Sequence, residues 1–146
     1  AVGVRPSTQL AADAGIECGR GIKTDRYLRT SVENVYAIGD CAEVEGNVLV
    51  YVAPLMAAAR ALAATLTGTP TEVAYPAMPV TIKTPACPVC VSPVGRDAEG
   101  EWTIEADGQD VKALFHSPKG DLLGFALTGR VVKERMPLTK QLPAIL

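Results

Sequence analysis

The sequence predicts a mixed fold of the α/β to α+β class, with an α/β first part and a small antiparallel sheet plus helix in the second. In the first part, one strongly helical segment at 54–67 follows short extended segments. Residues 80–127 instead show strand patterns, and the Thr- and Pro-containing stretch 71–78 before them is typical of a linker. We therefore expect two domains, at 1–70 and 79–146.

The composition indicates a real hydrophobic core and excludes two classes of function. Hydrophobic residues make up 48% of the chain, aromatic residues 5%, and the net charge is -2. A slightly acidic chain lacks the basic surface of a nucleic-acid-binding protein, and so few aromatic residues provide no platform for stacked bases. Arg60 interrupts the longest apolar stretch, which falls short of the roughly 18 residues that a membrane helix requires. With no secretory segment in the sequence, we expect a cytoplasmic protein.

The chain begins with segments that are typical of short elements. We interpret 1–4 as a strand and 8–14 as a short helix capped by Ser7. A turn at 18–21 and extended segments at 22–25 and 27–30 are expected to follow.

The most informative segment is 30–40, TSVENVYAIGD. Residues 34–38 alternate and include Val, Tyr and Ile, which predicts a buried strand. Gly39 lets the backbone approach a ligand closely, and Asp40 offers two carboxylate oxygens for charge-assisted hydrogen bonds from hydroxyl groups. The pattern indicates a ligand site at the end of the strand. The alternative is a buried strand that ends in an N-capping aspartate.

A strand at 48–52 and a helix at 54–67 are predicted next. Pro54 suits the first helical position, because its missing N–H would be unpaired there anyway. The start of a helix presents unpaired N–H groups and a partial positive charge, which makes it a candidate anion-facing element. The apolar stripe expected on this helix consists of Leu55, Ala59, Leu62 and Leu66.

The second part reads as strands joined by turns, followed by a short helix. Pro137 and Pro143 are expected to end that helix and to leave a loose tail. The predicted strands are 80–83, 89–91, 102–105, 111–116 and 122–127, with a hairpin turn at 118–121.

The four cysteines are Cys18, Cys41, Cys87 and Cys90. The last two are spaced as in a redox pair, but they run into a strand, whereas a reactive pair would sit at a helix N-terminus. A zinc site would need further ligands, and only His116 offers itself. We favour buried structural thiols and expect no metal site; redox or metal use is the alternative.

Segment 30–40 resembles the second FAD-binding motif of the two-dinucleotide-domain flavoprotein reductases, in which a Thr precedes a hydrophobic strand that ends in Gly-Asp. The resemblance implies that Asp40 holds the ribitol chain of FAD. It also implies that the N–H groups of Leu55 and Met56 face the pyrimidine edge of the flavin and stabilise negative charge there. The implied cofactor-binding residues are Gly39, Asp40, Pro54, Leu55, Met56 and Lys83.

Two further segments resemble the same reductases. Residues 1–6 are similar to the strand by which the chain leaves their NAD domain, although Ser7 replaces the usual Asn. Residues 21–31, GIKTDRYLRTS, are similar to the lead-in before their Gly-Asp strand. The sequence has no Gly-x-Gly-x-x-Gly turn to hold a pyrophosphate. We therefore expect 1–70 to be the C-terminal part of a Rossmann-like FAD-binding domain in a larger enzyme.

Segment 80–88, VTIKTPACP, is similar to a stretch of the bacterial rubredoxin reductases, as are 54–57 and 124–129. The resemblance implies that the whole enzyme transfers a hydride from NAD(P)H to FAD and then single electrons to the iron of rubredoxin. Lys83 is the candidate catalytic residue, because an ammonium group near the flavin would favour its reduced anionic form. A solvated strand lysine is the alternative.

The implied partners are rubredoxin, or a similar small acidic electron carrier, and the N-terminal part of the same enzyme. Clustered positive residues act mainly on encounter rates, but a charged face is also often simply solvated. Two other functions stay open: a non-catalytic dimerisation or docking module, and a related FAD-dependent reductase of the nitrite reductase or NADH oxidase type. The candidate docking residues are Lys83, Arg130, Lys133 and Arg135.

Overall fold

A computed structural model describes residues 3–82, 84–95 and 97–146. It consists of two compact units: the first extends to Tyr75 and includes Leu146, and the second is Pro76–Ile145. The division between the units falls inside the predicted linker. The domain bounds 1–70 and 79–146 stay a prediction.

The described residues of the first unit form a short helix, a helix of 15 residues and two short strands. Their bounds are α1 at Gln9–Asp13, β1 at Ile22–Thr24, β2 at Ala42–Val44 and α2 at Val52–Leu66, with a 3₁₀ turn at Gly39–Cys41 before β2. Strands β1 and β2 pair in parallel, with Ile22 opposite Ala42. The short helix predicted at 8–14 and the extended segment at 22–25 are confirmed within one or two residues of their ends.

The strand predicted at 34–38 is wrong. Within the described residues this segment forms a single bridge, in which Tyr36 pairs with Arg29. The backbone is left-handed at Leu28 (φ 66°) and at Asn34 (φ 63°), so the chain turns at both places and the pairing cannot extend. The apolar alternation therefore belongs to a loop. The extended segment predicted at 27–30 is not a strand either, because its pairing is limited to the same single bridge.

Two other predicted strands also differ from the structure. Ala1 and Val2 lie outside the described residues, while Gly3 and Val4 are irregular. Residues 48–50 are irregular as well, because no described strand pairs with them and a strand is held only by pairing.

Helix α2 begins two residues before its predicted start. Pro54 is therefore the third helical residue, where an N–H would still have no partner within the helix. The buried side chains are Pro54, Ala58 and Ala61, whereas Leu66 on the predicted stripe is 63% exposed. Small residues thus form the packed face of this helix. No helix in the described part of the chain is long and apolar enough to cross a membrane.

The second unit is an antiparallel sheet with a helical segment after its last strand. The strands are β3 at Val80–Ile82, β4 at Val89–Ser92, β5 at Glu101–Asp107, β6 at Asp110–His116 and β7 at Leu122–Thr128. Their order across the sheet is β3-β4-β7-β6-β5. The five predicted strands are confirmed within the described residues, although the predicted end of the first, Lys83, lies outside them. The fold class is confirmed too, as is the hairpin turn between β6 and β7, where the Gly120 N–H donates to the carbonyl of Ser117.

The core of the second unit lies between the sheet and the segment that follows β7. That segment is a 3₁₀ helix at Gly129–Glu134 and a short helix α3 at Arg135–Thr139. Phe125 is fully buried in β7. The cluster around it consists of Cys90, Leu122, Leu127, Val132 and Leu138, with Leu114, Val131 and Leu142 packed against it.

The predicted effect of Pro137 and the loose tail are both wrong. Pro137 lies in the first turn of α3, where the ring is tolerated because no helical hydrogen bond is lost. The last residue belongs to the first unit, since Tyr75 and Leu146 exchange two backbone hydrogen bonds of 3.0 and 3.1 Å.

Candidate functional site

The Gly39–Cys41 turn packs against the first turn of α2. Gly39 has a left-handed backbone (φ 79°), and a Cβ at this position would lie 3.3 Å from Cδ1 of Leu55. Any side chain would strain the backbone and crowd the helix. In the described structure the close neighbour of Gly39 is Leu55, and an approach of its backbone to a ligand stays a prediction.

Asp40 lies in the middle of this turn with its side chain exposed. No described residue donates a hydrogen bond to its carboxylate. The residue that precedes the turn, at the N-cap position, is Ile38, so Asp40 does not cap a helix as the alternative interpretation required. Both carboxylate oxygens can thus accept hydrogen bonds from a ligand.

The start of α2 has no side-chain cap. Tyr51 occupies the N-cap position in an extended conformation and makes no capping hydrogen bond. In an α-helix that begins at Val52, the free N–H groups are those of Val52 and Ala53, while those of Leu55 and Met56 point to carbonyls one turn back. The sequence does not point to the earlier pair, because the start signal that it offers for this helix is Pro54. Contact of Leu55 and Met56 with a cofactor stays a prediction.

Three of the predicted cofactor residues line one small cavity in the first unit. Its volume of about 10 Å³ has room for a single water molecule, so the cavity is too small to hold a cofactor. Asp40 and Met56 are exposed and follow lining residues directly in the sequence. Lys83 lies outside the described residues. The lining residues are Gly39, Pro54 and Leu55 together with Ala42, Val44, Asn47, Leu49 and Tyr75.

The predicted basic patch of the second unit is partly neutralised. The Arg130 side chain forms an ion pair with Asp110, and the Arg130 N–H donates a 2.7 Å hydrogen bond to the same carboxylate. The backbone and side-chain hydrogen bonds from Arg130 hold the pKa of Asp110 below its usual value. Among the described residues, Lys133 and Arg135 are exposed and form no ion pair. Within the described residues of the predicted patch, these two carry the positive charge that no ion pair neutralises.

The cysteines occupy two kinds of environment. Cys90 is fully buried, and the Thr81 hydroxyl donates to its sulfur at 3.7 Å, as expected of a structural thiol. Cys87 is half-buried on the surface near the carbonyl of Gln109, so the prediction of a buried thiol is wrong there. No group of His, Cys, Asp and Glu in the described part of the chain is arranged to hold a metal ion.

Two family comparisons cover almost the whole chain. The pyridine nucleotide-disulphide oxidoreductase family matches residues 1–64. The family described as the rubredoxin binding C-terminal domain matches residues 72–142. The two matches thus place the chain in the class of the pyridine nucleotide-disulphide oxidoreductases.

Individual relatives narrow the assignment. The chain is 62% identical to the rubredoxin-NAD(+) reductase of Alcanivorax borkumensis, over all of this chain and 38% of that protein. It is 39% identical to the nitric oxide reductase FlRd-NAD(+) reductase of Aliivibrio fischeri, over 97% of this chain and 37% of that protein. The chain belongs to the FAD-dependent pyridine nucleotide-disulphide oxidoreductase family and corresponds to the C-terminal part of a rubredoxin reductase-like member.

A solved structure supports the fold. The NADH:rubredoxin oxidoreductase from Clostridium acetobutylicum superposes with a TM-score of 0.79 at 20% identity, over 97% of this chain and 37% of that one. The chain therefore spans less than two fifths of the length of these relatives.

Proposed function

We propose that the full-length protein is a cytoplasmic reductase that passes electrons from NAD(P)H through FAD to rubredoxin or a similar small acidic carrier. The observation that carries this proposal is the match of residues 72–142 to the rubredoxin binding domain. The 62% identity to a rubredoxin-NAD(+) reductase extends the same assignment to the first unit.

The first unit offers groups suited to the ribitol chain and the flavin ring of FAD. The exposed Asp40 carboxylate can accept hydrogen bonds from the ribitol hydroxyls. The uncapped start of α2 offers N–H groups and partial positive charge to a flavin carbonyl. The N–H groups of Val52 and Ala53 are the proposed donors. We retain Leu55, Met56 and Lys83 as proposed neighbours of the cofactor. When bound, FAD supplies the hydride and single-electron chemistry.

The full-length protein is expected to purify with flavin and to reduce rubredoxin with NADH. The isolated 146-residue chain with added FAD is expected to oxidise no NADH, because its sequence contains no Gly-x-Gly-x-x-Gly turn to hold either pyrophosphate. Absorbance at 340 nm follows NADH in both assays. A colourless full-length protein that only binds a partner would support the docking-module alternative instead, and NADH oxidation by the short chain would contradict the assignment of its parts.

The relative from Aliivibrio fischeri suggests a second candidate acceptor, the FlRd of a nitric oxide reductase. Its lower identity of 39%, against 62%, favours rubredoxin. Comparison of kcat/KM for the two carriers with the full-length protein distinguishes them.

Charge reversal at Lys133 and Arg135 is expected to slow electron transfer to rubredoxin at low salt. Both side chains are exposed and carry the unpaired positive charge of the predicted patch, and such charge steers the encounter with an acidic partner. The second-order rate constant from stopped-flow measurements with Lys133→Glu and Arg135→Glu tests this. The difference from the wild type should shrink as salt rises, because screening weakens the attraction.

Lys119→Glu is the matched control, since Lys119 is exposed in the hairpin turn between β6 and β7. If all three substitutions change the rate equally, net charge explains the effect and this face is not the docking site. An unchanged rate in low salt for Lys133→Glu and Arg135→Glu also excludes this face as the docking site.

A further inference from the structure

A tight loop at residues 25–29 is closed by several hydrogen bonds that one carboxylate, that of Asp25, accepts. Oδ1 of Asp25 accepts the N–H groups of Tyr27 (2.9 Å) and Arg29 (3.0 Å). Oδ2 accepts the guanidinium of Arg29 at 2.8 Å from Nε and 2.7 Å from the terminal nitrogen. The Asp25 N–H also donates to the carbonyl of Arg29 at 3.1 Å. We call this arrangement the Asp25–Arg29 clasp.

The clasp surrounds a residue in an unfavourable backbone conformation. Leu28 is left-handed (φ 66°), which a residue with a Cβ rarely adopts, and its side chain is fully buried. Such conformations persist only where the surrounding structure enforces them, and they are concentrated at functional sites. The hydrogen bonds on either side of Leu28 provide that enforcement. Arg29 is itself held in place over the ring of Tyr27, at 4.7 Å from its centre.

The clasp lies between the two supports of the Gly39–Cys41 turn. Before the turn, the Ala37 N–H donates to the carbonyl of Leu28 at 3.1 Å. After the turn, Ala42 in β2 pairs with Ile22 in β1. Strand β1 leads directly into the clasp, and Leu28 lies within it. The separation of the two supports, and therefore the span that the turn must cross, depends on the geometry of the clasp.

We propose that the Asp25–Arg29 clasp positions Asp40 for the cofactor, by holding the supports of the Gly39–Cys41 turn at a fixed separation. Asp25 and Arg29 are then positioning residues, which act on flavin binding through Asp40. This inference rests on the proposed function, since it assigns a role in the same FAD site. A clasp that only stabilised the unit would affect unfolding but would leave the affinity and environment of the bound flavin unchanged.

The test uses full-length protein with Asp25→Ala and Asp25→Asn, reconstituted with FAD after removal of the cofactor. Asp25→Ala is expected to raise the Kd for FAD about tenfold, because it removes every side-chain hydrogen bond of the clasp. Asp25→Asn is expected to have a smaller effect, since its amide oxygen can still accept the two backbone N–H groups. The visible circular dichroism of the bound flavin should change in the same order.

Glu17→Gln is the matched control, because it removes another exposed ion pair of the same unit, between Glu17 and Lys23 at 2.6 Å. Its Kd and flavin spectrum are expected to equal those of the wild type. The proposal is overturned if Asp25→Ala gives the same Kd and the same flavin spectrum as Glu17→Gln. If Asp25→Ala does not fold, the same comparison is made with Asp25→Asn. A wild-type protein that binds no FAD would instead overturn the proposed function, and the role of the clasp with it.

Discussion

Replacement of Phe125 with Ala is expected to lower the free energy of unfolding of the second unit by about 3–5 kcal/mol. Phe125 is fully buried in β7 and packs against the helical segment through Val132 and Leu138, so its loss removes apolar contact and leaves a cavity. A domain of this size has roughly 5–15 kcal/mol in total, so the variant should be close to unfolded. Urea unfolding of the 146-residue chain, followed by the fluorescence of Trp102, measures the change because Trp102 is the only tryptophan.

Met136→Ala is the control for this substitution. Met136 is 60% exposed in α3, and its truncation is expected to change the free energy of unfolding by no more than about 0.5 kcal/mol. Equal urea midpoints for Phe125→Ala and Met136→Ala would show that the packing between sheet and helical segment is not as described.

Replacement of Asp40 with Ala in the full-length protein is expected to raise the Kd for FAD roughly ten- to hundredfold. A hydrogen bond to a charged group contributes about 1.5–3 kcal/mol, which corresponds to that range. The fold should be little affected, since the side chain is exposed and accepts no hydrogen bond from the described residues. Flavin fluorescence during reconstitution measures the Kd, and far-ultraviolet circular dichroism checks the fold.

Glu33→Ala provides the comparison for Asp40, because Glu33 is an exposed carboxylate in the segment that leads to the same turn. Its substitution is expected to leave the affinity for FAD unchanged. Full flavin occupancy and an unchanged dissociation rate in Asp40→Ala would remove the ribitol contact from the proposed function.

The sequence by itself determined the strands of the second unit and, in the first unit, the need for glycine at the turn before Asp40. Strands β4 to β7 were predictable because their side chains alternate and Gly- or Pro-containing turns separate them. The Gly-Asp motif can be recognised in the sequence because it consists of particular residue types at fixed spacing. Gly39 must adopt a left-handed backbone next to Leu55, and only glycine does so without strain.

Only the tertiary structure decided which groups pair. The alternation at 34–38 predicted a strand, but the turns at Leu28 and Asn34 limit its pairing to one bridge. Charges on the second unit could be counted in the sequence, yet the neutralisation of Arg130 depends on Asp110, which lies twenty residues away along the chain. Periodicity records which residues are apolar or charged. Hydrogen bonds and ion pairs depend on distances between residues that only the folded backbone brings together.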